Sequence, residues 1–81
     1  MTQPVPASVP APLPAVAVSV NGEERSVPAG TTLDTLVAEL TAARSGVAAA
    51  VNEAVVPRGQ WSATALAGGD RVEVLTAVQG G

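Results

Sequence analysis

Residues 74–81, VLTAVQGG, run an alternating apolar stretch straight into two glycines. Glycine loses more conformational freedom on ordering than any other residue, so Gly80 and Gly81 add little to a fold. What they can do is chemistry. Without Cβ atoms they fit a narrow channel, and residues 78–81 in extended form reach roughly 13 Å. Gln79 and Gly80 would thread into a partner's active site and bring the α-carboxylate of Gly81 to a nucleotide. A carboxylate is a poor electrophile, but as an acyl-adenylate it carries a good leaving group. Sulfide or a thiol could displace AMP, and with sulfide the product at Gly81 would be a thiocarboxylate. The acceleration would belong to the partner, through positioning and neutralisation of phosphate charge. An inert, frayed end is the other reading of the same residues, because flexible termini are common.

The remaining side chains narrow the alternatives. The chain has 81 residues, no His and no Cys, and its four cations are all arginines: Arg25, Arg44, Arg58 and Arg71. The usual general base, thiol nucleophile and soft metal ligands are therefore missing. No bound cofactor is expected, and no disulfide can form. With no lysine, the chain cannot accept an isopeptide bond on a side chain. The net charge is −3 and the arginines are dispersed, so there is no basic stripe for nucleic acid or for an anionic membrane. The balance suits a partner with a basic or mixed-charge docking face. No Lys or Arg precedes Arg25, so a positive signal-peptide n-region is lacking. No apolar run is long enough to span a bilayer. The expected location is the cytoplasm.

These residues need a scaffold, and 81 residues allow one small domain. Five of the seven prolines fall in residues 1–14. Proline fixes φ and lacks an N–H, so this stretch is expected to be a disordered or polyproline-II lead-in. The domain is expected over residues 15–78, with residues 79–81 as a flexible tail. Val16, Val18 and Val20 alternate with Ala17 and Ser19, the period of a strand. Asn21-Gly22 is a strong hairpin signal, residues 23–27 read as the returning strand, and Pro28-Ala29-Gly30 ends it. The period then changes. Leu33, Leu36, Val37 and Leu40 fall on one stripe of an amphipathic helix. Thr31 or Thr32 can cap it, and Asp34 stands three residues after Thr31 at capping-box spacing. Arg44 is placed in its last turn, with Gly46 just beyond as the stop.

Residues 47–57 read as two short strands bent around Asn52-Glu53. Residues 58–70 read as a loop carrying Trp61, the sole aromatic residue, which is expected over the sheet edge, with a docking anchor as the alternative. An Arg after Pro57 reads first as solvated; a partner contact by Arg58 is the alternative. Asp70 closes the turn after Gly68-Gly69. In the last strand Val72, Val74, Thr76 and Val78 share one face, and Glu73, Leu75 and Ala77 share the other. Which face is buried stays open; if the second is uncovered, Leu75 and Ala77 form a docking patch. The order of elements is strand, strand, helix, strand, short strand, loop, strand. Composition predicts α+β, and this order predicts a β-grasp: a small mixed sheet of four to five strands with one main helix.

The stretches AVNEAVVPRGQW at 50–61 and GGDRVEVLTAVQGG at 68–81 resemble the ThiS family, the sulfur carrier proteins of thiamin biosynthesis. VNG at 20–22 and PAGTTLDTLVAEL at 28–40 fit the same family. The resemblance covers residues 16–81. The small subunit of molybdopterin synthase usually has prolines before its glycines, where Thr76-Ala77-Val78-Gln79 stands here. The resemblance implies a ubiquitin-like β-grasp and adenylation of Gly81 by a ThiF-type or MoeB-type activating enzyme using ATP and magnesium. Sulfur would come from a donor such as a cysteine desulfurase, and the thiocarboxylate would go to thiazole synthase, ThiG. The chain would be a carrier, not an enzyme. A carrier for molybdopterin or cysteine synthesis, a ubiquitin-like modifier and a plain interaction module are the alternatives. The proline-rich extension departs from a typical member.

Overall fold

The computed structural model describes residues 14–43 and 45–77. Strand β1 (Ala15–Val20) and β2 (Glu23–Pro28) form an antiparallel hairpin, paired from Ala15↔Pro28 to Val20↔Glu23. Helix α1 (Leu33–Leu40) follows, then β3 (Val47–Val51), β4 (Ala54–Val55), a 3-10 helix (Arg58–Ala63) and β5 (Arg71–Thr76). The sheet order is β2-β1-β5-β3-β4. β5 lies in the middle, parallel to β1 and antiparallel to β3. One helix beside a five-stranded mixed sheet bears out the β-grasp expected from the element order.

The core follows from the two periodicities. Val18 and Val20 of β1 are buried, with Val27 of β2, Ala49 of β3 and Val72 and Val74 of β5. Leu33, Leu36 and Val37 of α1 join the same cluster, as do Trp61 and Leu66. No polar or charged side chain is buried among the described residues. The sheet is thus dry on one face, where small valines and an alanine meet the leucines of the helix. Burying each Val or Leu side chain is worth about 1.5–3 kcal/mol. The open face of β5 is now decided: Val72 and Val74 point inward, whereas Arg71, Glu73 and Leu75 are exposed.

Both hairpin turns use positive φ. Asn21 (51°) and Gly22 (88°) join β1 to β2, and Asn52 (53°) and Glu53 (73°) join β3 to β4. Asparagine tolerates this region because its short polar side chain can bond locally. The turn before β5 is closed as expected, with the Ala67 amide donating to Asp70 Oδ2 at 2.8 Å and the Asp70 amide donating to the Ala67 carbonyl at 3.0 Å.

Four expectations need correction. The helix stops at Leu40, where Thr41 turns extended (φ −152°, ψ 146°) while its amide still donates to the Val37 carbonyl. The Thr41 hydroxyl then accepts from the Ala43 amide at 3.0 Å, a bond that competes with another helical turn. Arg44 lies outside the described residues. Gly46 is therefore no helix stop; at φ +72° it leads into β3, and its carbonyl accepts from the Ala77 amide at 2.6 Å. Nor is there a capping box. The Thr31 hydroxyl donates to the Pro28 carbonyl at 2.6 Å; Thr32 does occupy the N-cap position, but its hydroxyl donates to Asp34 and makes no cap bond to the helix backbone. Asp34 itself takes the Thr35 amide at 2.8 Å.

The third correction is the 3-10 helix, which occupies what reads as loop. The Gln60 amide donates to the Pro57 carbonyl at 2.8 Å, and the Thr64 amide donates to the Trp61 carbonyl at 3.2 Å. The fourth concerns Trp61, which is only 4% exposed and belongs to the core. Its indole Nε1–H donates to the Val56 carbonyl at 2.8 Å, so the one polar atom of the ring is satisfied as it enters the interior. Next to it, the Leu33 amide bonds the Thr64 carbonyl and the Leu66 amide bonds the Thr31 carbonyl, stitching the segment to the start of α1.

Trp61→Phe should keep a ring in the core but strand the Val56 carbonyl and leave unfilled volume. The expected loss is about 1–3 kcal/mol, read as a lower urea midpoint at unchanged m.

Candidate functional site

The residues of the proposed reaction, Gln79, Gly80 and Gly81, lie outside the described residues, as does Val78. The described part of the site is the strand that leads to them. β5 is held along both edges. On the β3 side the register runs from Val51↔Val72 to Val47↔Thr76. The Asn52 amide donates to the Arg71 carbonyl at 2.7 Å, and the Ala77 amide closes that edge on Gly46. On the β1 side, Ser19 N–H bonds the Asp70 carbonyl at 3.0 Å and Asn21 N–H bonds the Val72 carbonyl at 2.9 Å.

The two turn asparagines add side-chain contacts to β5. Asn21 Nδ2 donates to the Val74 carbonyl at 3.2 Å, and the Val74 amide donates to Asn21 Oδ1 at 2.8 Å. At the other end of the strand, the Arg71 amide donates to Asn52 Oδ1 at 2.9 Å, and Asn52 Nδ2 donates to Asp70 Oδ1 at 3.0 Å. The sequence announces both residues as turn formers. Nothing local announces their second use, because the partners of Asn21 lie 53 residues away.

Leu75 is 68% exposed on the outer face of the sheet. It lines a shallow apolar depression with Ala48, Ala50, Val55 and Glu73. Val55, 76% exposed, is the other large apolar side chain of this patch, and sequence reading missed it. The neighbouring Ala48 and Ala50 leave Leu75 and Val55 standing above a low floor. Ala77, grouped with Leu75 by its alternation, is exposed as well.

Arg58 is elsewhere. Its guanidinium carbon sits 5.0 Å from the centroid of the Trp61 ring, at a groove lined also by Asp34, Val37 and Thr41 of the helix side. It has an aromatic partner within its own chain, a cation–π contact worth about 0.5–1 kcal/mol when exposed. Leu75 and Arg58 line different depressions and do not form one site. Among the described residues, no three His, Cys, Asp or Glu side chains gather as metal ligands. No helix among them is long and apolar enough to cross a membrane.

This geometry has known counterparts. The profile of the ThiS family matches residues 13–81. A protein of Magnetococcus marinus named thiazole synthase is 41% identical over 64 residues, which are 79% of this chain. The match takes up 20% of that protein, so the chain spans about a fifth of its length. The sulfur carrier protein ThiS of Escherichia coli is 31% identical over 61 residues, 75% of this chain and 92% of that one. Among solved structures, the thiamine biosynthesis protein ThiS of Geobacter metallireducens superposes with a TM-score of 0.67 at 29% identity. That superposition covers 82% of this chain and the whole of the other. With its family profile matched from residue 13 to residue 81 and its central strand and single helix shared with a solved relative, the chain belongs to the ThiS family.

Proposed function

We propose that this chain is a sulfur carrier of thiamin biosynthesis and that the carboxylate of Gly81 carries the sulfur. The observation that carries this reading is positional. β5 is the central strand of a ThiS fold, it is gripped on the β3 side as far as Ala77, and Gly80 and Gly81 follow within a few residues. A firm base and a slender end suit delivery of one carboxylate into another protein's pocket.

The chemistry is written in three steps. The Gly81 carboxylate attacks the α-phosphorus of ATP, pyrophosphate leaves, and an acyl-adenylate forms. Sulfide attacks the acyl carbon, AMP leaves, and the thiocarboxylate remains. A persulfide donor, such as that of a cysteine desulfurase, would give an acyl disulfide that a thiol then cleaves. In this scheme ATP and magnesium belong to the ThiF-type or MoeB-type activating enzyme, whose pocket receives the Gly81 carboxylate. The thiocarboxylate sulfur is then the nucleophile delivered to thiazole synthase. Support for that partner comes from the Magnetococcus marinus relative, in which a stretch like this chain lies within a protein bearing that name. The chain is a co-substrate in this scheme and not an enzyme, and its use of ATP through a partner fits the cytoplasm.

Docking is assigned to the outer sheet face, where Leu75 and Val55 rise over Ala48 and Ala50 close to the base of the tail. Glu73 at the rim of this patch suits a basic residue opposite.

Incubation with an activating enzyme, ATP, magnesium and sulfide should add, by intact mass, the difference between one sulfur and one oxygen on the C-terminal peptide. Deleting Gly81 should leave the urea midpoint unchanged and abolish the mass gain; transfer that survives the deletion would overturn the assignment. Leu75→Glu should alter stability by less than about 0.5 kcal/mol. It should raise the KM for the carrier in the activation reaction about five-fold or more, as expected for an apolar anchor worth over about 1 kcal/mol.

A further inference from the structure

β1 and β5 run parallel, and their ladder stops early. Ser19↔Arg71 and Val20↔Val72 are its paired positions, and the bonds Ser19 N–H to Asp70 and Asn21 N–H to Val72 are two of its rungs. The donors and the acceptors across from them each advance by two residues. The next rung would join the amide of residue 23 to the Val74 carbonyl, and the Val74 amide would find the carbonyl of residue 21. The chain cannot supply it, because it turns back at Asn21 and Gly22 and residue 23 departs along β2. Val74 would be left with its amide and its carbonyl bare on that edge.

The Asn21 side chain fills the gap. A carboxamide is a peptide group in miniature, with one carbonyl acceptor and N–H donors. Its Oδ1 accepts from the Val74 amide at 2.8 Å, and its Nδ2 donates to the Val74 carbonyl at 3.2 Å. Both bonds are partly buried. We propose that the Asn21 carboxamide is a positioning residue, a side-chain rung that keeps β5 in the plane of the sheet beyond the end of β1 and so sets the line along which the chain leaves after Thr76. In the carrier reading, on which the kinetic part of this inference rests, that line is the approach of Gly81 to the activating enzyme. Loss of the rung lets the end of β5 sample other directions. Only the fraction still aligned docks productively, which weakens apparent binding and leaves the chemical step alone.

Asn52 supplies a matched control. It also sits in a positive-φ turn and also bonds a β5 amide, but at Arg71, at the beginning of the strand. Asn21→Gly and Asn52→Gly both keep a residue at ease with positive φ and both delete a carboxamide. Native-state hydrogen exchange and activation kinetics on the two variants then separate positioning from stability. Asn21→Gly should speed exchange at the Val74 and Ala77 amides about five-fold or more relative to the wild type, the loss expected for one hydrogen bond. It should raise the KM for the carrier by a similar factor at unchanged kcat. Asn52→Gly should leave the Ala77 amide and the KM where they are, whatever it costs in global stability. Equal KM changes in the two variants, or an unchanged Ala77 exchange rate in Asn21→Gly, would overturn the proposal. If the wild type forms no thiocarboxylate at all, the carrier reading falls, and the exchange of Ala77 alone decides whether Asn21 orders the exit of β5.

Discussion

A strand in the middle of a sheet must satisfy hydrogen-bonding groups on both edges, and β5 must do so with neighbours from distant parts of the chain. Its β3 edge is met by a strand about twenty-five residues upstream, and its β1 edge by one some fifty residues upstream. The two hairpins place their turns against it, so Asn21 and Asn52 each bond β5 from within their own hairpin turn. Asparagine is the residue that can serve both needs. It accepts positive φ and still carries a donor and an acceptor outward. The helix and the 3-10 segment complete the arrangement by covering the inner face, where Val72 and Val74 join Leu33, Leu36 and Trp61 in one cluster.

Much of this was legible in residue order. Alternating valines in β1, the Asn21-Gly22 turn and the Leu33/Leu36/Val37 stripe are local patterns, and local geometry obeyed them. What stayed hidden was decided by contacts remote in sequence. β5 carries apolar residues on both faces, so its alternation could not tell Val74 from Leu75; the helix, seated on one side only, made the choice. The 3-10 helix has no periodicity to read, and it forms where Trp61 must bring its indole N–H to Val56. The apparent helix stop at Gly46 failed because Thr41 leaves the helical region first, and the glycine was needed elsewhere. An alanine Cβ at residue 46 would lie 3.1 Å from the Ala77 Cβ, so the glycine also admits the end of β5.

The two terminal glycines were legible as a chemical possibility but lie outside the described residues, and the outer-face patch was half seen. Leu75 was picked out by alternation, whereas Val55 belongs to a strand of two residues, too short to show a period. Arg58 reads as a free cation until the fold brings Trp61 beneath it. The two faces of the sheet therefore differ in kind. One is a packed interior in which the Trp61 indole N–H is met by the Val56 carbonyl, and the other is a low floor of alanines with two aliphatic side chains raised above it. The packed core lies on one side only, so a change to the exposed side chains of the other need not disturb it.

The sheet order also bears on how the molecule comes into being. β5 is synthesised after every other described element, yet it belongs between the two hairpins. A nascent chain halted before residue 71 has β1–β2 and β3–β4 with nothing to join them, and a helix with half its floor missing. Each hairpin alone is marginal in water. Assembly is therefore gated by β5: until residues 71–76 exist the two hairpins share no sheet, and the inner face that Val72 and Val74 complete stays open.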